Sequence, residues 1–145
     1  MAGVPLGHHI ILDLFDCECD EEWLARVSKG HELMVRCAEK LNTLNISAHQ
    51  FEPVSYSIVV LLSESHLSIH TWTEKRHASL DFYTCTGKVP DECVDIALEV
   101  LRPKRAVRVD IIRGTTNPIT RTEVDYHAGQ PSHPGLDESQ LPKRE

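Results

Sequence analysis

Between Ser63 and Glu74 the chain reads Ser-Glu-Ser-His-Leu-Ser-Ile-His-Thr-Trp-Thr-Glu, which puts three serines, two histidines and two carboxylates into one short stretch. A strand needs none of these for stability. Their types fit three chemistries: a Ser–His–Asp hydrolase, a histidine metal site, or a serine that processes its own backbone. No Gly-x-Ser-x-Gly elbow surrounds any serine, and no glycine-rich segment is placed to supply an oxyanion hole. On one strand face His66 and His70 stand roughly 13 Å apart at ~3.3 Å per residue, too far to chelate one ion. Cys17-x-Cys19, near His8 and His9, invites a second metal reading. Structural zinc sites space their cysteines by about two to four residues and need a second ligand pair, so solvated turn thiols are expected there and no metal.

The elements that must position this stretch follow from periodicity. His8 to Phe15 is short and apolar enough for a strand. Asp20 can cap a helix with Glu21 and Glu22 in its first turn. Along that helix Trp23, Val27, Met34, Ala38 and Leu41 form an inward stripe, mildly interrupted at Gly30. Strands then fill about 47–85. Ser57-Ile-Val-Val-Leu-Leu reads as a buried strand. His66, Ser68, His70, Trp72 and Glu74 alternate onto one face of the next. Lys75-Arg76-His77 is a turn, and Ala78 to Cys85 returns with Asp81, Tyr83 and Cys85 on a shared face. A hairpin of these two strands would bring His70 and Cys85 toward one site, in a register that spacing does not set. Pro90 opens a second helix with Val94, Ala97, Leu98 and Leu101 inward, and Pro103 stops it. Arg105 to Arg113 reads as the last strand. The expected fold is an α+β two-layer sandwich: a mainly antiparallel sheet with helices packed on one face.

The chain has 145 residues, a size that suits one domain with a real core. It is 41% hydrophobic and 26% charged, ordinary for a globular protein, and its formal charge of -7 argues against a nucleic-acid partner. No apolar run reaches the ~20 residues that span a membrane, and the N-terminus lacks the regions of a signal peptide. Five cysteines, an odd number with no export signal, are expected to stay reduced in a cytoplasmic protein. The domain is expected to cover 1–126, with 127–145 a disordered tail too poor in apolar residues to order itself.

Glu64-Ser-His-Leu-Ser-Ile-His-Thr-Trp72, followed by Asp81 and Thr84-Cys85, resembles the small prokaryotic, pyruvoyl-dependent type of S-adenosylmethionine decarboxylase. Gly7-His8-His9 leading into Asp13-Leu14-Phe15 and Cys17, Phe51-x-Pro53 with Ser57, and Arg113-Gly114 extend the resemblance across about 7–115. It implies that Ser65 attacks the Glu64 carbonyl, exchanging an amide for an ester. Loss of the Ser65 α-proton then eliminates the ester, and hydrolysis leaves a pyruvoyl group at the head of chain 65–145, with chain 1–64 ending at Glu64. A tight, strained turn at 64–65 would help that shift. By the same resemblance His70 is the processing base and Ser57 assists. The pyruvoyl ketone forms a Schiff base with the substrate amine and takes up the electrons that carbon dioxide leaves behind. Cys85 matches the proton donor, and a thiol with a pKa of ~8.5 suits that task.

For S-adenosylmethionine, the resemblance assigns Phe51 and Trp72 to stacking on the adenine and Glu74 to the ribose hydroxyls. It further implies polyamine synthesis, a homodimer of cleaved protomers with sites near the interface, and Phe51 reaching across. Several positions depart from the pattern. Thr73 replaces Pro, Ser55-Tyr56-Ser57-Ile58 replaces Gly-Val-Ser-Gly, Arg76-His77-Ala78-Ser79 replaces Gly-Tyr-Ala-Ala, and Thr86 replaces Gly. These changes are expected to crowd the processing site, which keeps arginine and ornithine open as smaller cationic substrates. A non-processing homologue acting as a binding partner is the competing non-enzymatic reading, although Ser65, His70, Ser57 and Cys85 are all present.

Overall fold

The computed structural model describes residues 4–124; the expected tail at 127–145 lies outside them. In chain order the elements are β1 (Gly7–Phe15), α1 (Glu22–Ala25), α2 (Val27–Cys37), β2 (Thr43–Gln50), β3 (Tyr56–Leu62), β4 (Ser65–Trp72), a 3-10 turn at Thr73–Lys75, β5 (His77–Thr84), α3 (Asp91–Leu101), β6 (Arg105–Arg113) and β7 (Ile119–Val124). The strands form one seven-stranded sheet in the order β2-β3-β4-β5-β1-β6-β7, every neighbouring pair antiparallel. This is the expected α+β sandwich. Among the described residues no helix is long and apolar enough to cross a membrane.

Alternation gives the sheet two unlike faces. Ile10, Leu12, Leu14, Ile58, Val60, Leu67, Ile69, Leu80 and Phe82 are buried and meet Leu33, Met34, Val94, Ala97 and Leu98 of the helices. Fully burying each such side chain stabilises the fold by about 1.5–3 kcal/mol. The opposite face carries His9, Asp13, Ser57, His66, Ser68, His70, Asp81 and Tyr83, with Val59 and Leu61 exposed beside them.

The first helix differs from its sequence reading. It breaks at Arg26, whose ψ of 127° is extended, and its N-cap is Glu21 rather than Asp20, with no side-chain capping bond. The break is made by a residue distant in sequence. The Gln50 amide accepts from the Val27 N–H (2.7 Å) and donates to the Ala25 carbonyl (2.8 Å), replacing the helical bonds there. Gly30 has a packing reason: a Cβ there would lie 2.2 Å from the Tyr56 ring. β7 is an addition that spacing did not reveal.

A buried polar group fixes the connection from β5 to α3. His8 Nδ1 accepts from the Val89 N–H (2.9 Å), so its Nε2 carries the proton and donates to Asp110 (2.9 Å). Asp110 also accepts from Arg108 Nε (2.7 Å). All three side chains are buried on the helix-covered side.

Candidate active site

One end of β4 holds the Glu64–Ser65 peptide. Ser65 pairs with Thr84 across β5, and just beyond that pair the Cys85 N–H donates to the Glu64 carbonyl oxygen at 2.9 Å. The Thr86 hydroxyl donates to the Glu64 carboxylate. A cleft of about 200 Å³ opens here, lined by Ser63, Glu64, Ser65, Thr84, Thr86 and Lys88. Cys85 is half-buried. Burial and then the neighbouring Cys85 push the Tyr83 phenol upward. The turn is tight, with only Ser63 and Glu64 between β3 and β4, but among the described non-glycine residues left-handed φ values fall at Asp16, Ser55, Arg76 and Arg102, not at Glu64 or Ser65.

The other predicted groups gather at the far end of the same strands. His70 Nδ1 and Ser57 Oγ lie 2.7 Å apart, directly paired across β3 and β4. Trp72 is 40% exposed with its ring 5.3 Å from His77, and Phe51 is 47% exposed against His49 at 4.7 Å. Glu74 has left the strand for the 3-10 turn, so it does not continue the outward row. Five residues separate Ser65 from His70, roughly 16 Å along a strand. The register pairs His70 with Ser79, whereas Cys85 lies beyond Thr84. Hairpin pairing therefore does not bring His70 to Cys85 within one chain. Glu64, Ser65 and Cys85 are brought together at one end; Ser57, His70, Phe51, Trp72 and Glu74 stand toward the other.

Between the ends, on the open face, lies a network that sequence reasoning missed. Asp81 Oδ2 accepts from His9 Nε2 (2.8 Å) and His66 Nε2 (3.2 Å), and Ser68 donates to its other oxygen. Burial opposes the Asp81 charge, but the bonds from His9, Ser68 and His66 outweigh it and hold the carboxyl well below the usual range. His9, His66 and Asp81 are also close enough together to suggest a metal site. The tautomer argues otherwise. Arg113, which can only donate, faces His9 Nδ1 at 3.1 Å, so the His9 proton sits on Nε2, the atom a metal would need. The available signal was that His9, His66 and Asp81 share the outward phase of three strands; the missing fact was their register.

Of the departures from the family pattern, Thr86 lines the cleft beside Glu64 and His77 stands against Trp72, whereas the Ser55 and Thr73 side chains lie away from both ends. Ser55 Oγ lies 2.8 Å from Thr73 Oγ1 and accepts from the Thr73 N–H at 3.0 Å, a bond that proline could not make. These two departures are thus partners, buried under the helices with Tyr56. Arg76 takes the left-handed backbone of a glycine, and its guanidinium donates to the carbonyls of Cys17 (2.8 Å) and Cys19. Cys17 and Cys19 are consequently buried, not solvated turn thiols, and burial pushes the Cys17 thiol up to about 12.

The family described as S-adenosylmethionine decarboxylase matches residues 8–114. A Thermosipho africanus S-adenosylmethionine decarboxylase proenzyme is 38% identical over 125 residues, covering 84% of this chain and 95% of its own length. The Pyrococcus furiosus proenzyme is 36% identical, covering 75% of this chain and 79% of its own. The crystal structure of the adenosylmethionine decarboxylase from Aquifex aeolicus superposes with a TM-score of 0.71 at 32% identity, covering 79% of this chain and 96% of that one.

Proposed function

The chain belongs to the S-adenosylmethionine decarboxylase family, and on that premise we propose that it cuts itself between Glu64 and Ser65 and decarboxylates S-adenosylmethionine for polyamine synthesis. The observation that carries this reading is the hydrogen bond from the Cys85 N–H to the Glu64 carbonyl (2.9 Å). Attack of Ser65 Oγ on that carbonyl carbon moves negative charge onto the same oxygen, and a fixed backbone donor stabilises it. The amide nitrogen leaves as the ester forms, and departure of the ester carboxylate with the α-proton frees Glu64 as a chain end. Hydrolysis of the resulting dehydroalanine releases ammonia and leaves the ketone. Relatives named proenzymes are consistent with such processing.

Ser65 suits a pyruvoyl precursor: it lies in the cleft, beside Thr84 and next to the peptide whose carbonyl is already held. When formed, that group supplies an electron sink for decarboxylation. Cys85, one residue beyond the Thr84 that pairs with Ser65, returns a proton from Sγ to the former α-carbon. Phe51 and Trp72 offer exposed rings for the adenine and Glu74 a carboxylate for the ribose.

The two ends are too far apart to serve one substrate within one chain. Two copies stacked antiparallel by their open faces would set the Ser65–Cys85 end of one against the Ser57–His70 end of the other, giving a homodimer with composite sites. The exposed Val59 and Leu61 would be covered in it. His70 would then act as processing base, with Ser57 assisting, on the Ser65 of the second copy. The free thiols of Cys17, Cys19, Cys37 and Cys93 suit a reducing, cytoplasmic setting.

Intact mass of the purified protein, followed by carbon dioxide release from S-adenosylmethionine, arginine and ornithine in parallel, tests the reading. Fragments 1–64 and 65–145 with turnover of S-adenosylmethionine are expected. Preference for arginine or ornithine would overturn the substrate. A single inert chain would overturn the enzyme and leave a binding partner on the same scaffold.

A further inference from the structure

Cutting before Ser65 turns the start of an internal strand into a chain end. Chain ends open at almost no free-energy cost, yet this one would carry the reacting group. A reacting group needs to be held to within about 0.5 Å. In the uncut chain several bonds secure the approach: the Ser63 N–H donates to Asn42 (3.1 Å), the Glu64 carbonyl accepts from Cys85 (2.9 Å), and the Glu64 carboxylate accepts from the Thr86 hydroxyl. All of them hold the fragment that ends at Glu64. After the cut, Ser65 is paired only with Thr84 of β5, and pairing with β3 begins at His66, opposite Leu61. The second residue of the new chain is thus the first one held on both sides.

We propose that Asp81 is a positioning residue that anchors the new N-terminus, through the imidazole of His66, to the centre of the sheet. This rests on the reading above that the chain cuts itself before Ser65. His66 pairs with Tyr83, and Asp81 lies two residues further along β5, so the 3.2 Å bond runs diagonally across the strands. Asp81 is itself fixed by His9 on β1 and Ser68 on β4, and His9 is fixed by Arg113 on β6. The Tyr83 ring packs against both histidines, with centroids 5.6 Å from His66 and 5.5 Å from His9, and lies under the Arg113 guanidinium. The restraint on one side chain is therefore shared by four neighbouring strands. The Asp81 and His9 side chains are only 26% and 14% exposed, so water competes poorly for the bond between them, and it is this fixed carboxylate that the more exposed His66 (36%) reaches.

An anchor of this kind matters only after cleavage, while the upstream bonds make it redundant before. The test compares Asp81→Asn with wild type in three measurements: self-cleavage rate by mass, amide hydrogen exchange over 66–69, and steady-state kinetics. Self-cleavage is expected to stay within about threefold. In the cut protein exchange should quicken at least about tenfold, and kcat should fall at least about tenfold with KM little changed. In an uncut Ser65→Ala background, the same Asp81→Asn change should alter exchange less than about twofold. His66→Phe, which has no donor, should reproduce these effects, and His66→Gln, which keeps one, should reverse most of them. Exchange in cut Asp81→Asn and His66→Phe proteins that matches wild type would overturn the anchor. So would an equal rise in the uncut background, which would make Asp81 a general stabiliser. A wild-type chain that never cuts itself would overturn the processing reading and the anchor together.

Discussion

The two ends of β4 are built differently. At the Ser65 end the backbone does the holding: a cross-strand pair, a carbonyl on the Cys85 N–H, and beside them an aspartate shared by two histidines. At the His70 end side chains are offered outward: an exposed histidine bonded only to Ser57 among the described contacts, and the half-exposed rings of Trp72 and Phe51. A cut backbone must be held from within its own chain. A flat base and a proton acceptor can be presented to a neighbour. On the proposed reading the first end carries the cut and the reactive group, and the second offers its side chains to the substrate and to the Ser65 of a second copy.

Substitutions that separate the ends sharpen this contrast. Cys85→Ser keeps the backbone N–H, so fragments 1–64 and 65–145 should still form while carbon dioxide release falls by about 10²–10³-fold. Loss of cleavage in that variant would merge the two tasks of the residue. Trp72→Ala should leave cleavage intact and raise KM by roughly 5- to 100-fold, the scale of one base–aromatic stack; an unchanged KM would remove the ring from the substrate.

Smaller effects test what supports the His70 end. Thr73→Pro strips the N–H and hydroxyl that serve the buried Ser55 and should cost about 1–3 kcal/mol in urea unfolding. Combined with Ser55→Gly the cost should be less than the sum, by about 0.5 kcal/mol or more; strict additivity would break the pairing of the two departures.

The pH dependence of stability should be the mildest signal. Asp81 and Asp110 are held below their ordinary values in the fold, so the folded state binds fewer protons than the unfolded one. That contribution is present above about pH 4 and is lost as pH falls further. Burial pushes Cys37 up to about 12 and Cys93 up to about 11, along with Cys17. Their contribution is complete below about pH 8.5 and fades as pH rises toward those values. A urea midpoint flat from pH 3 to 11 would contradict both.

Much of the sandwich was legible because alternation in Ala78–Thr84 and the stripe of α3 each obey one period, but the continuous apolar run Ile58–Leu62, read as a buried strand, hid that Val59 and Leu61 face outward. The break at Arg26 was not, because Gln50 makes it from β2. Nor was β7: Ile119-Thr-Arg-Thr-Glu-Val is a polar edge strand with no buried face to betray it. The residues of the candidate site could be named from their resemblance, but not grouped. Register decides that His9, His66 and Asp81 meet and that His70 and Cys85 do not, and register comes from pairing partners. Cys17 and Cys19 looked like turn thiols because the side chain that buries their turn, Arg76, lies far along the chain.

The central claim, that the two ends of the sheet serve one site only across two copies, is tested by mixing defects. Ser65→Ala and His70→Ala chains, each expected to form no pyruvoyl group alone, are co-expressed with different tags and separated by mass. The account predicts that the His70→Ala chain is cut when its partner supplies an intact His70, with carbon dioxide release restored in part. Two chains that both remain whole in the mixed dimer would contradict it.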